Sequence, residues 1–296
     1  MKIENKFPTK DISEEDLKTK FPLVAKKSPT HQSKFEVAGV EFGGNLIPIF
    51  AGPNMVESRD LIFDVATNVK KNGAHFLRGG AFKPLTFPYR SEKYTETREE
   101  GIKWLNEVKK EIKIPIITEI MEEKFIPLIS DVTDIIQIGS RNMQNYPFLT
   151  ACAKTGKPIM LKRHYGASLR DWLGAAEYIL YEGNKKVILC ERGNIFGYNN
   201  LVVDTLNFQI MKEYSVPVMF DVTHSLQLPG GLGKSTDGRR EYLLHMAKAG
   251  ISQKIAGLFL EAHPNPDKAK CDGPCALRLD QLESFLLQVK ELDKLK

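Results

Sequence analysis

The sequence predicts an α/β protein built on a single (β/α)8 barrel with an N-terminal β-hairpin extension. Short apolar runs alternate with stretches whose apolar residues recur every three to four positions, from residue 47 onward. About eight such pairs in about 250 residues match this fold in count, order and length. Charged residues also follow run after run, as expected where buried parallel strands reach a polar mouth.

The N-terminal part, residues 1–47, is predicted to be an extension that precedes a catalytic barrel at 48–296. Residues 1–34 are polar and lysine-rich, with a weak helical pattern at 12–20. Residues 35–42 alternate as a strand does, and Gly43 and Gly44 supply a turn, so we predict a hairpin here. It would plug the closed end of the barrel or join an oligomer interface.

The barrel strands are predicted at 48–52, 75–80, 115–120, 135–139, 158–163, 186–192, 217–224 and 257–263. Amphipathic helices are predicted between them, for example at 61–71, 99–110, 169–181, 203–214 and 239–249, with a last one at 280–292. A doubly wound open sheet is the alternative, but it usually opens with a glycine-rich phosphate turn, and none follows the first predicted strand. A barrel places its active site at the C-terminal ends of its strands.

Composition excludes several classes of protein. Of 296 residues, 42% are hydrophobic and 27% are charged, which is typical of a soluble globular protein. No apolar run approaches the ~20 residues that span a bilayer, and the first residues lack the apolar core of a secretory signal. Four cysteines do not suggest a disulfide framework, so we expect a cytoplasmic protein. The net charge of +5 is dispersed, so neither nucleic acid nor membrane is an expected partner.

A group of cations is predicted to converge at the strand ends. Guanidinium groups bind phosphate or carboxylate through two hydrogen bonds, and lysine acts as a point charge. The cations follow four different strands and comprise Arg78, Lys83, Arg141, Lys162 and Arg192, with Arg163 beside them. Such a cleft attracts a multiply charged anion. For each cation the alternative is a salt bridge with Glu119, Glu191 or Asp221.

A second group combines His224, Glu261 and Asp272, with Asp221 and His263 close by. A histidine and two carboxylates from neighbouring strand ends could hold a divalent metal or handle protons. Cys271 and Cys275 have three residues between them and no second pair to complete a zinc site, so they are a weak metal motif.

Long motifs accompany these groups at 51–58 (AGPNMVES), 78–84 (RGGAFKP), 136–144 (IQIGSRNMQ), 190–193 (CERG), 196–204 (FGYNNLVVD), 221–227 (DVTHSLQ) and 261–266 (EAHPNP). With them, the chain from about residue 35 to its end resembles the phosphoenolpyruvate-condensing aldol synthases. That family includes 3-deoxy-D-manno-octulosonate-8-phosphate (KDO8P) synthase and 3-deoxy-D-arabino-heptulosonate-7-phosphate (DAHP) synthase. Residues from 196 onward resemble metal-independent KDO8P synthase, whereas residues 35–183 resemble DAHP synthase.

The resemblance implies a cytoplasmic transferase that condenses phosphoenolpyruvate with an aldose or aldose phosphate, giving a 3-deoxy-2-ulosonic acid and inorganic phosphate. A KDO8P-synthase-like enzyme that uses arabinose 5-phosphate fits the second half of the chain. The alternatives are a DAHP synthase that uses erythrose 4-phosphate, a synthase for an unphosphorylated aldose, and an inactive relative kept as a binding subunit. The resemblance also implies a homotetramer.

The resemblance assigns roles to residues that match the motifs. Lys83, Asn54, His224, Glu261 and Asp272 are the expected catalytic residues, with Lys83 protonating the aldehyde oxygen and Asn54 aligning the aldehyde. Phosphoenolpyruvate would be bound by Arg78, Lys83, Arg141, Lys162 and Arg192. Further substrate-binding residues are expected at Gln227, Asn199, Thr86 and Arg90.

Some positions depart from the family pattern. Metal-dependent members carry a cysteine at the position of Asn54, and an amide oxygen is a poorer ligand for a soft metal than a thiolate. We therefore expect no cofactor; the alternative is a metal held by His224, Glu261 and Asp272. Leu85 replaces an arginine that grips the acceptor's phosphate, so either Arg90 or another basic residue takes over or the acceptor lacks that phosphate. Glu119 and Met121 replace the aspartate and histidine of KDO8P synthases.

Overall fold

The computed structural model describes residues 12–83, 96–196, 200–229 and 237–294. The strands of these ranges are β1 (Phe35–Val37), β2 (Val40–Phe42), β3 (Ile49–Gly52), β4 (Phe76–Arg78), β5 (Ile116–Glu119), β6 (Ile135–Ile138), β7 (Ile159–Lys162), β8 (Val187–Glu191), β9 (Asn194–Ile195), β10 (Leu201–Val202), β11 (Val218–Asp221), β12 (Gln227–Leu228), β13 (Asp237–Gly238), β14 (Leu258–His263) and β15 (Leu277–Arg278). The α-helices are α1 (Glu14–Thr19), α2 (Arg59–Lys71), α3 (Arg98–Ile112), α4 (Ile126–Val132), α5 (Tyr146–Ala153), α6 (Leu169–Tyr181), α7 (Leu206–Met211), α8 (Leu243–Ser252) and α9 (Leu282–Asp293).

A closed parallel barrel forms the centre of the molecule. Its strands follow the order β3, β4, β5, β6, β7, β8, β11 and β14, and β14 pairs with β3 to close the ring. At this closure Glu261 lies opposite Gly52. Helices connect consecutive strands, so the predicted (β/α)8 fold is confirmed. Each predicted barrel strand is present with slightly shorter bounds.

The helices differ from the predicted ones mainly at their ends. Ser58 is the N-cap of α2, and its hydroxyl accepts from the backbone N–H of Leu61. Helix α6 begins with a capping box between Ser168 and Asp171. The prediction of a helix at 203–214 was too long, since α7 is one and a half turns. The helix predicted at 239–249 begins later, at Leu243, after a 3₁₀ turn at Arg240–Tyr242.

The N-terminal hairpin lies at the N-terminal end of the barrel. The prediction put one strand at 35–42 and the turn at Gly43 and Gly44, which is wrong, because β1 and β2 both lie within those residues and pair antiparallel. Their turn is Ala38–Gly39, with φ of +49° and +80°, the positive values that a two-residue hairpin turn requires. Phe42 is fully buried, and its ring centroid lies 6.0 Å from that of Phe50 and 5.8 Å from that of Phe76. These contacts match the barrel-plug alternative.

Residues 12–34, here called the N-terminal strap, pack against α6. The backbone N–H groups of Leu23 and Val24 donate to the Glu177 carboxylate at 2.8 and 3.0 Å. Arg170 donates to Asp16 at 3.1 Å. Because Val24 is also fully buried, the strap is part of the folded core. No helix in the described ranges is both long and apolar enough to cross a membrane.

Candidate active site

Charged and polar side chains meet at the C-terminal ends of the barrel strands. In a strand buried on both faces only this end is free to present charge. The buried charged residues that end successive strands, or follow within one position, are Arg78, Glu119, Lys162, Arg163, Glu191, Arg192 and Asp221, and Glu261 lies two residues before the end of β14. The predicted convergence of cations and carboxylates is therefore present in the fold.

The centre of the mouth contains a hydrogen-bonded chain that crosses the barrel closure. Asn54 Nδ2 donates to Asp272 Oδ2 at 2.5 Å, and Arg78 Nη2 donates to Asn54 Oδ1 at 2.8 Å. Arg78 Nη1 lies 3.5 Å from Glu261 Oε2. Both of these last atoms are buried and have no hydrogen-bond partner in the described part of the chain. Buried polar atoms normally have partners, so this pair is open to a bound molecule.

His224 is oriented by the carboxylate of Asp221. Asp221 Oδ2 lies 2.8 Å from His224 Nδ1 and also accepts from Lys162 Nζ, while Asp221 Oδ1 accepts from the His224 backbone N–H at 3.0 Å. Burial alone would raise the pKa of Asp221, but His224 and Lys162 outweigh it and hold that pKa well below its usual range. An ionised Asp221 requires the proton on Nδ1, which leaves the Nε2 lone pair free.

The free Nε2 of His224 faces two carboxyl groups with opposite proton affinities. It lies 3.7 Å from Asp272 Oδ2 and 3.9 Å from Glu261 Oε2. Burial raises the pKa of Glu261 well above its usual range, and Arg78 offsets this only in part. Burial also opposes ionisation of Asp272, but its polar and positive neighbours His224, Lys83 and Arg192 outweigh it and lower the pKa. Burial lowers the pKa of His224. Opposed pKa shifts in neighbouring carboxyl groups are typical of sites where one group acts as an acid and another as a base.

Three of the cations make the salt bridges that the sequence left as an alternative. Lys83 Nζ lies 3.8 Å from Glu119 Oε2, Lys162 pairs with Asp221, and Arg163 Nη1 pairs with Glu191 Oε2 at 2.6 Å. Each pair connects residues from two different strands or the loops that follow them, and the Lys162–Asp221 pair spans β8, which lies between β7 and β11. Arg163 also donates to the Ala167 carbonyl, so its guanidinium connects the segment between β7 and α6 to the end of β8.

The other predicted binding residues differ in their settings. Arg192 Nη2 donates to Gln227 Oε1, which brings both residues into the mouth, and burial lowers the pKa of Arg192. Arg141 lies in an exposed 3₁₀ turn after β6, and its side chain has no ion pair or hydrogen bond within the described ranges. Asn199, Thr86 and Arg90, and also Leu85, lie outside the described residues.

Sequence reasoning missed the aromatic floor of the site. The Phe259 ring lies beneath two cations, 4.8 Å from Arg78 Cζ and 4.4 Å from Lys162 Nζ. A cation over an aromatic face is attracted by the ring quadrupole. Phe259 stands two residues before Glu261 on β14, so strand alternation could have indicated that both point into the barrel. Thr223 was also missed, and its Oγ1 accepts from the Glu261 backbone N–H at 2.9 Å.

Three candidate metal ligands meet at the mouth in the described part of the chain. His224, Glu261 and Asp272 offer ligand atoms within 4.8 Å of one another. Asn54 contacts this group, since its Nδ2 donates to Asp272, and its Oδ1 accepts from Arg78. An amide nitrogen that donates cannot ligate a cation. Cys271 and Cys275 are free thiols and are not part of this group.

Comparison with known proteins decides the family. The sequence profile described as the DAHP synthetase I family matches residues 24–296. The chain belongs to that family. A 2-dehydro-3-deoxyphosphooctonate aldolase of Pseudomonas fluorescens (strain SBW25) is 44% identical over 251 residues, which cover 83% of this chain and 89% of the relative. That of Pseudomonas aeruginosa (strain UCBPP-PA14) is 42% identical over 269 residues, covering 89% and 96%.

Solved structures carry the same fold. A truncated 3-deoxy-D-arabino-heptulosonate 7-phosphate synthase from Thermotoga maritima matches with a TM-score of 0.82 at 30% identity, covering 93% of this chain and 97% of the other. A longer DAHP synthase structure from the same organism matches with a TM-score of 0.80 at 30% identity, covering 90% and 74%. Both the family indicated by the motifs and the fold are thus confirmed.

Proposed function

We propose that this family member is a KDO8P-synthase-like transferase that condenses phosphoenolpyruvate with arabinose 5-phosphate. The products are a 3-deoxy-2-ulosonic acid phosphate and inorganic phosphate. The observation that carries the proposal is the division of the mouth into a cationic half over Phe259 and a proton-handling half around His224. The 2-dehydro-3-deoxyphosphooctonate aldolases match this chain over most of their length, and this supports the octulosonate branch.

In the proposed reaction the cationic half binds phosphoenolpyruvate. Arg78, Lys162 and Arg192 would hold its phosphate and carboxylate, and the exposed Arg141 side chain would close on the phosphate from above. The unpartnered Arg78 Nη1 supports this role, because a bound oxyanion would supply the missing acceptor. The Phe259 ring below excludes water, which strengthens each of these charge interactions.

Carbon–carbon bond formation places negative charge on the aldehyde oxygen of the acceptor. C3 of phosphoenolpyruvate attacks the aldehyde carbon, and Lys83 would give the oxygen a proton. Lys83 lies 3.8 Å from Glu119, which holds the ammonium group at the mouth. Asn54 would align the aldehyde through its amide. Gln227, Asn199, Thr86 and Arg90 remain the predicted contacts to the acceptor.

The second half of the reaction consumes water. Attack of water on C2 gives a hemiketal phosphate, whose C2–O bond to phosphate then breaks to leave the ketone. His224 Nε2 would take the proton from that water, and Asp221 would stabilise the resulting imidazolium. Asp272 and Glu261 would hold the water between them, with the ionised Asp272 as the acceptor and the protonated Glu261 as the donor.

We propose that this chemistry needs no metal. Asn54 supports this, because its Nδ2 donates to Asp272, its Oδ1 accepts from the Arg78 guanidinium, and an amide oxygen is a poorer ligand for a soft metal than a thiolate. The Arg78 guanidinium also stands 3.5 Å from Glu261, where a neighbouring cation would be repelled. A homotetramer and a cytoplasmic location remain predictions, which sedimentation and cell fractionation would test.

Phosphate release tests the proposal. The chain, purified with a chelator, is assayed with phosphoenolpyruvate and arabinose 5-phosphate, erythrose 4-phosphate or unphosphorylated arabinose. We expect release with arabinose 5-phosphate and none with Lys83→Met, whereas the exposed control Lys154→Met should match wild type. Preference for erythrose 4-phosphate would identify a DAHP synthase, and preference for arabinose would identify the unphosphorylated acceptor. No release with any acceptor would contradict an enzymatic role, and recovery only on adding metal would contradict metal independence.

A further inference from the structure

Glu57 lies in the loop after β3, three residues beyond Asn54, and its carboxylate contacts the loop that carries Asp272. Its Oε1 accepts from the Lys270 backbone N–H at 2.8 Å. The same Oε1 lies 3.4 Å from His263 Nε2. The Glu57 side chain is only 12% exposed, so these contacts are shielded from water. One oxygen thus joins the start and the end of the segment between β14 and Asp272.

His263 is oriented so that its Nε2 carries a proton toward Glu57. Its Nδ1 accepts from the Asn265 backbone N–H at 3.0 Å, which places the proton of a neutral imidazole on Nε2. His263 is 4% exposed, and Nε2 has no hydrogen-bond partner among the described residues. Glu57 Oε1 is the acceptor that this N–H faces, and a slight approach would complete the bond.

The segment held by Glu57 ends in a backbone conformation that needs support. Asp272 has φ of +52° and ψ of +19°, a left-handed conformation that is uncommon for residues other than glycine. A Cβ at the next residue, Gly273, would stand 2.1 Å from the Pro266 carbonyl oxygen, so the turn is tightly folded on itself. Conformations of this kind persist when surrounding contacts over-determine them.

We propose that Glu57 is a positioning residue for the reaction, which acts by setting the distance between Asn54 and Asp272. Asn54 and Glu57 share one loop, while Lys270 and Asp272 share the other. The Asn54–Asp272 hydrogen bond and the Glu57–Lys270 hydrogen bond therefore fasten the same two loops in parallel. The expected loss of kcat rests on the proposed condensation, whereas the expected change in the Asn54–Asp272 distance does not.

Glu57→Ala and Glu57→Gln test the proposal, with Glu107→Ala, an exposed partner of Arg59, as the control. Glu57→Ala should lower kcat by roughly 10- to 100-fold, because it leaves buried N–H donors without an acceptor. KM for phosphoenolpyruvate should change less than about twofold. Glu57→Gln should recover most of this loss, because the amide oxygen can accept from the Lys270 N–H and face the His263 N–H as the carboxylate does. An unchanged kcat in Glu57→Ala would overturn the proposal, as would equal damage by alanine and glutamine.

Coupling to Asp272 separates positioning from general stability. In an Asp272→Asn background Glu57→Ala should cause no further loss of kcat, although its melting temperature should still fall. Independent losses of kcat would overturn the proposal. A crystal structure of Glu57→Ala tests the geometry without turnover: the Asn54 Nδ2–Asp272 Oδ2 separation should exceed hydrogen-bonding range. If wild type releases no phosphate, the proposed function fails, while an unchanged separation in the variant overturns the role of Glu57.

Discussion

Asn54 and Asp272 are joined by a hydrogen bond of 2.5 Å although they lie 218 residues apart. The bond crosses the closure of the barrel, where β14 returns to β3. Its donor is the Asn54 amide, whose oxygen accepts from Arg78, so one side chain connects Arg78 to Asp272 across this closure.

Replacing this amide with a thiol is expected to create metal affinity. Asn54→Cys would add a soft anionic ligand to the three donors within 4.8 Å of one another. We expect Zn²⁺ to bind at least about tenfold more tightly than to wild type, measured by isothermal titration calorimetry. Asn54→Ala, which removes the amide without adding a ligand, is the control. Equal affinities of the cysteine and alanine variants would show that position 54 does not face the three donors.

Asp221 is expected to be essential because it holds both His224 and Lys162. Asp221→Asn would keep the size but remove the charge that stabilises the Nδ1 proton. We expect kcat for phosphate release to fall by roughly 10²-fold or more, with folding preserved by circular dichroism. Asp267→Asn, which breaks an exposed pair with Arg240, should leave kcat unchanged. A loss below about threefold in Asp221→Asn would argue against His224 as the base.

Neutralising Glu261 is expected to stabilise the fold in a pH-dependent way. Burial raises the pKa of Glu261 above its ordinary value of 4.5, so the folded chain retains a proton that the unfolded chain releases. Its stability contribution therefore decreases as pH rises above that ordinary value. Glu261→Gln should increase the free energy of unfolding at pH 7 by roughly 0.5–2 kcal/mol, and the gain should vanish near pH 4.

Urea denaturation with a chelator present, at both pH values, measures this difference. Glu99→Gln, at an exposed position in α3, is the control and should show no pH-dependent gain. A gain of equal size at both pH values would show that ionisation of Glu261 is not its source.

Arg90 is expected to grip the phosphate of the acceptor in place of the arginine that Leu85 replaces. Arg90→Ala should raise KM for arabinose 5-phosphate by roughly tenfold, the loss of one charge-assisted contact, and leave KM for phosphoenolpyruvate unchanged. Steady-state kinetics with each substrate varied in turn provide the measurement. Arg278→Ala, at an exposed pair with Asp280, is the matched control. An unchanged KM for arabinose 5-phosphate would place the phosphate elsewhere.

Glu177 is expected to hold the N-terminal strap on α6. Glu177→Ala removes the acceptor of the Leu23 and Val24 N–H groups, and should lower the free energy of unfolding by roughly 1–3 kcal/mol. Glu182→Ala breaks only an exposed pair with Lys154 and should cost less than about 1 kcal/mol. Thermal denaturation gives the stabilities, and limited proteolysis reports release of the strap. Equal stabilities of the two variants would show that the strap is held by other contacts.

The barrel could be predicted because burial of its strands leaves a plain signal. Each strand is an apolar run with charged residues at its C-terminal end. The runs predict the parallel sheet, and the charged ends predict where the mouth lies. The hairpin turn could not be placed, because Gly43 and Gly44 resemble a turn while Ala38 gives no hint of its φ of +49°. Tertiary packing of the hairpin on Phe50 and Phe76 overrides the local preference there.

The contents of the site could be predicted, but their pairing could not. Strand ends show that Lys83, Lys162 and Glu119 share one mouth, yet no spacing tells which carboxylate each lysine contacts. The Asn54–Asp272 bond depends on ring closure, which is not a local property of the sequence. The floor residue Phe259 was predictable from its alternation with Glu261, whereas the contact between Glu57 and Lys270 depends on how two loops fold.

The aromatic rings along the barrel axis have a consequence for the order of events. Phe42 meets Phe50 at 6.0 Å, and Phe50 meets Phe259 at 6.0 Å, so the column runs from the hairpin to the floor beneath Arg78 and Lys162. Because these rings close the N-terminal end of the barrel, substrates and products can enter and leave only at the C-terminal ends of the strands. In the proposed reaction we therefore expect the substrate that binds over Phe259 to arrive before the one above it, and the fragment left over Phe259 to depart after it.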